Sequence, residues 1–160
     1  MHNFIFQVDS NPIPEENYLR EDCINEGDMV YFDYADELSG NEREEAIEYL
    51  VEKVLPKGMF SLNPDYSITY NGGIEEWRNT YHDLITTTVR NITPENIFDI
   101  MGTYKLQKAI VNPLGKSTLF VIDNCGTDAT AERSAHFMSM VDNLTKGEKL
   151  YIGGVCDYHF

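Results

Sequence analysis

The stretch Tyr104-Lys-Leu-Gln-Lys-Ala-Ile-Val111-Asn-Pro-Leu-Gly115-Lys-Ser117-Thr-Leu-Phe-Val-Ile-Asp123 decides how the chain is classed. Asn112-Pro-Leu-Gly115 puts proline at the second and glycine at the fourth position of a four-residue turn, which suits type I. The flanks, Tyr104–Val111 and Ser117–Asp123, then read as the two strands of a β-hairpin. The rival reading carries a helix through to Val111. A hairpin among interleaved strands and helices favours an α+β fold with a mixed or antiparallel sheet over a doubly wound parallel one.

Downstream, Asp123 to Asp128 is a polar loop, and the spacing of Phe137, Met138, Val141 and Leu144 predicts a helix over 129–144. Leu150–Cys156 is a final strand containing Gly153-Gly154, a pair that marks a bulge or a close backbone approach. Upstream, Ile74, Trp77, Tyr81, Leu84, Ile85 and Thr88 place one apolar face on a helix over 73–90. Thr93-Pro94-Glu95 starts a short helix to about Met101, with Gly102 stopping it. Tyr66–Tyr70, Met29–Tyr34 and residues 3–8 read as strands. In the last of these, Phe4, Phe6 and Val8 alternate with Ile5 and Gln7. Between the first two strands runs an acidic connector, residues 15–28. About four helices result. With 160 residues, no internal repeat and no linker, the expectation is one α+β domain spanning 1–160.

Charge is distributed unevenly. Residues 1–52 hold fifteen Asp and Glu against only Arg20 and Arg43, a net charge of −13, whereas residues 53–160 carry −2. The overall −15 disfavours direct binding to nucleic acid or to an anionic membrane, both being polyanions. No stretch is long and apolar enough for a membrane span, and the start lacks the basic and apolar regions of a secretory leader. Three widely spaced cysteines do not make a disulfide framework. Reduced thiols suit a cytoplasmic location.

Part of this acid lies on one helix. Asn41, with Glu44 three residues on, reads as a capping box. Ala46, Ile47, Leu50, Val51 and Val54 form the buried stripe, and Glu44, Glu45, Glu48 and Glu52 the opposite face. Carboxylates four apart repel by a few tenths of a kcal/mol per pair (~0.2–0.5). Spaced about 6 Å along the axis, they loosely imitate a row of phosphates. This helix face is the expected contact for a basic protein partner, as in an inhibitor or immunity-type protein acting as a nucleic-acid mimic. The same reading makes the protein non-enzymatic.

Two other readings compete. A small hydrolase or transferase would use Cys125, in the loop before a helix N-terminus that lowers a thiol pKa, with His136 as base and Asp123 near by. The bland alternative is that Asn124, Gly126 and Asp128 are turn residues and Cys125 is packed. Asp33, at a strand end, is a further carboxylate of interest. An assembly subunit would expose an apolar patch from Tyr31, Phe32, Tyr34, Phe60, Tyr66 and Tyr70. Cys156 and His159 are spaced like one half of a zinc site, with Cys125 or His136 as further ligands, but residues three apart on a strand face opposite ways, so no metal is expected. Gly72-Gly73 lacks the neighbouring Lys-Ser/Thr of a phosphate cradle, and no cofactor is expected.

Overall fold

In the computed structural model, which describes residues 3–122 and 128–159, the earliest and latest strands meet at the centre of the sheet. β1 (Asn3–Asp9) runs antiparallel to β8 (Lys149–His159) and parallel to β6 (Leu119–Ile122). The other edge of β8 is shared. Its first residues pair with β5 (Ile68–Tyr70), which pairs with β4 (Phe60–Leu62), and its last pair with β3 (Tyr34–Leu38). These six strands form one mixed sheet. β2 (Ile24–Glu26) and β7 (Ala129–Ala131) make a separate two-stranded parallel ribbon. With helices α1 (Gly40–Tyr49), α2 (Ile74–Arg90), α3 (Ile100–Val111) and α4 (Ser134–Asp142), the class is α+β.

Both faces of the sheet are covered, which is why β1 is apolar on both. Phe6 and Val8 face α1 and α4, packing with Ile47, Leu50, Phe120, Phe137 and Val141. The Phe120 and Phe137 rings stack at 4.3 Å. Ile5 faces the other way, into a smaller core of Leu19, Val30, Leu119, Val121, Cys156 and Tyr158. That second layer is not a helix but the irregular connector after β1.

Gly153 and Gly154 explain how loop backbone lies on a sheet. Gln7 stands opposite both of them, a β-bulge between the pairs Phe6↔Val155 and Val8↔Ile152. A Cβ on Gly154 would come within 2.5 Å of the Leu19 carbonyl oxygen. The buried Gln7 amide clamps the connector: Oε1 accepts from the Leu19 and Gly154 amides, each at 2.8 Å, and Nε2 donates to the Asn17 carbonyl at 3.0 Å. Bulge and close approach are both present at the glycine pair.

Several expectations are corrected. Tyr104–Val111 is not a strand: the helical reading through Val111 holds. Asp99 caps α3 by accepting from the Met101 amide at 3.0 Å, and Gly102 lies inside the first turn instead of ending a helix. The Asn112–Gly115 turn is real, closed by the Gly115 amide on the Asn112 carbonyl at 2.9 Å, but it joins a helix to β6. The antiparallel pairs that define the class are β1–β8, β3–β8, β4–β5 and β5–β8. Met29–Asp33 is irregular, because Met29 sits at φ +56° and Val30 closes a turn on Gly27. Pairing begins only at β3. Residues 129–131 are β7, so α4 is shorter than the expected helix. Ser39, not Asn41, occupies the N-cap of α1, without a side-chain cap. The Leu50–Val54 turn widens to π before Leu55-Pro56 stops it.

Candidate functional site: an acidic helix between two grooves

α1 follows β3 after Ser39, and six carboxylates of the first third line the two grooves beside it. On one side is a groove of about 530 Å3 lined by Phe4, Leu38, Glu42, Glu45, Ala46, Tyr49 and Asp157. Four of these are apolar, and Phe4 and Tyr49 meet edge to face at 5.6 Å. The three carboxylates stand among them. On the other side, a second groove of about 640 Å3 is lined by Glu15 and Glu16 from the connector, Glu37 of β3 and Glu44 of α1, with Arg20 and Arg43. Leu38 borders both grooves.

The two arginines of this groove are held by different partners. Arg43 is committed to backbone. Its Nε donates to the Gly153 carbonyl at 2.9 Å and one terminal nitrogen to the Ile152 carbonyl at 2.6 Å, while the guanidinium lies 4.9 Å from the Tyr18 ring centre. It fills the gap on the edge of β8 between β5 and β3. Arg20 pairs with Asp22 at 3.5 Å and Glu37 at 3.9 Å, in largely exposed geometry that contributes little.

The four glutamates expected to form a single ladder divide. Glu45, Glu48 and Glu52 are exposed. Glu44 is half-buried and accepts from the Tyr66 hydroxyl at 2.8 Å, which raises that phenol above its ordinary pKa. Glu45 turns to the first groove. The π turn changes the angular spacing before Glu52. The sequence reading missed Glu42 and Asp157 as groove residues. Nothing in the local pattern marks Asp157, which reaches the groove from β8.

The nucleophile candidates fare differently. Asp123 and Cys125 lie outside the described residues. His136, on α4, is exposed and holds its Nδ1 3.4 Å from the carboxylate of Glu132, which precedes the helix and bridges to Phe120. Cys156 is fully buried, and burial, reinforced by Glu37, Glu21 and Asp36, pushes its thiol up to about 12, opposite to what a nucleophile needs. Cys156 packs in the smaller core while His159 stacks on Tyr34 at 4.9 Å. Among the described residues, no three His, Cys, Asp or Glu side chains gather as metal ligands would. The Asp33 carboxylate accepts from the Tyr31 hydroxyl at 3.1 Å. Of the aromatic set, Phe60 and Tyr70 are core residues, Phe32 and Tyr66 half-buried, and only Tyr31 and Tyr34 exposed.

Comparison of the chain with protein-family models, with curated proteins and with solved structures gives no match. No helix among the described residues is long and apolar enough to cross a membrane.

Proposed function

We propose that this is a non-enzymatic protein-binding domain whose α1 face and flanking grooves engage a basic surface of a partner protein. One observation carries the reading: carboxylates from the connector, β3, α1 and β8 converge on two grooves that share Leu38, while Arg43 is withdrawn into backbone contacts. Such grooves suit lysine and arginine. The aliphatic stem lies on Phe4, Leu38 and Tyr49, and the charged head reaches Glu42 or Glu45. The exposed Tyr49 ring adds a face for a guanidinium. A partner that uses its basic surface to hold nucleic acid would be inhibited by occupation of that surface, the logic of an immunity-type protein.

The test compares the wild type with a variant carrying Glu44→Gln, Glu45→Gln, Glu48→Gln and Glu52→Gln as baits in native lysate, eluted by a salt gradient. A basic protein held by the wild type, released by salt and lost from the variant is the expected outcome, because association between complementary charged surfaces is steered and screened by ions. A partner retained equally by both baits removes α1 from the contact.

A further inference from the structure

We infer that the α2–α3 helical hairpin is a self-association surface that pairs with the same hairpin of a second copy. The pair projects from the core almost uncovered. Ile74, at its base, is the one fully buried residue of α2, and α3 has none. Trp77 stacks on Tyr81 at 5.1 Å near that base, and the Tyr81 hydroxyl bonds the Ala109 carbonyl at 3.2 Å. Beyond this anchor the apolar residues face outward: Leu84 and Val89 on α2, Ile97 and Phe98 in the connection, Ile100, Met101 and Tyr104 on α3. Phe98 is 95% exposed and Ile100 78%. Ile100 and Tyr104, four apart, adjoin Met101 on one surface of α3.

A helix of twelve residues draws most of its stability from a packed apolar face. Here Leu106 and Ala109 are only partly covered, and Ile100, Met101, Tyr104 and Ile110 are open to water. Several large apolar side chains left exposed on one helical hairpin point to an association site.

Charge selects the occupant. Residues 74–111 hold five acids and four bases, a net −1 within a chain of −15, so this is the region where two copies approach without strong repulsion. It is also far less acidic than the face proposed for the basic partner. The two helices are complementary to each other. α3 carries Lys105 and Lys108 and no acid, whereas α2 carries Glu75, Glu76 and Asp83 against Arg78 and Arg90. Laying α2 along α3 of the other copy sets opposite charges face to face, and a two-fold axis repeats that contact. The product is a four-helix bundle, the standard solution for burying two helical hairpins.

Sedimentation equilibrium of the full chain over a wide concentration range tests this. The wild type is expected to be a dimer. Phe98→Asp with Ile100→Asp is expected to give monomers with unchanged far-ultraviolet circular dichroism, both side chains being exposed in the single chain. Lys105→Glu with Lys108→Glu, which touches no apolar contact, is expected to weaken the dimer at least about tenfold at low salt. A wild type that stays monomeric throughout, or a dimer indifferent to both double substitutions, overturns the inference. The four Glu→Gln changes on α1 leave this association intact, so its failure and that of the basic-partner reading are separable.

Discussion

Gln7 shows how much one buried amide can organise. It serves as acceptor to two backbone amides and donor to one carbonyl, tying β1, β8 and the connector at one point. Replacing it with leucine leaves the Leu19 and Gly154 amides without their acceptor, at about 1–3 kcal/mol for each unsatisfied buried group. Urea denaturation of Gln7→Leu is therefore expected to show a loss of about 2 kcal/mol or more. An unchanged midpoint would mean that the connector is held by Leu19 and Val30 burial alone. Cys156 makes a pH prediction of definite sign. Its native thiol titrates at about 12, whereas an unfolded cysteine does so near ~8.5. Between those values the unfolded chain binds fewer protons than the native one, so stability falls as pH rises through that window. Cys156→Ala is expected to flatten the fall measured by denaturation at a series of alkaline pH values, whatever the cavity costs at neutral pH. The glycine pair opposite Gln7 was legible in the sequence as a bulge or close approach. What it approaches was not, because Leu19 is set against it only by the tertiary fold.

At the scale of elements, the informative errors have physical causes. Tyr104–Val111 is eight residues with apolar side chains at 106 and 109–111, too short for periodicity to separate strand from helix. The Asn112–Gly115 turn looks the same whichever element precedes it. The fold class was nevertheless readable, since β1 and β8 are strands by their own composition, though their pairing joins residues far apart in sequence. α2 teaches a different lesson. Its stripe from Ile74 to Thr88 was legible as an apolar face, but a stripe does not say what covers it, and only its base reaches the core. On α1, the buried stripe Ala46, Ile47, Leu50 and Val54 was read correctly, while Glu44 was drawn from the outer face by Tyr66, a residue on a turn of positive φ that no local pattern links to the helix.

At the scale of the molecule, net charge acts on two equilibria with opposite signs. Added salt screens the self-repulsion of a −15 chain and also screens attraction to a basic partner. The thermal midpoint of the isolated protein is thus expected to rise with sodium chloride, by about 2–4 °C for each kcal/mol of repulsion relieved, while affinity for the partner falls. Calorimetry and binding at matched salt concentrations check both, and a midpoint that declines with salt would show that the acidic face is not under electrostatic strain. The segregation of acid into residues 1–52 was visible in composition. The grooves beside α1 were not, because β3 brings Glu37 to one and β8 adds Asp157, from outside that segment, to the other.

The pairing of Asn3 with Tyr158 also sets a timetable. β1 is made before every other strand of the sheet, yet one of its two neighbours, β8, follows only after all the others. Until β8 emerges, one edge of β1 has unmatched amides and carbonyls, and neither β3 nor the β4–β5 pair can join the main sheet. A nascent chain in that condition resembles an open sheet edge, the kind that recruits wrong strands. Pairings of such long sequence separation also fold slowly. β4 with β5, and β1 with β6, can pair without β8, but the six-stranded sheet closes only when that strand is in place.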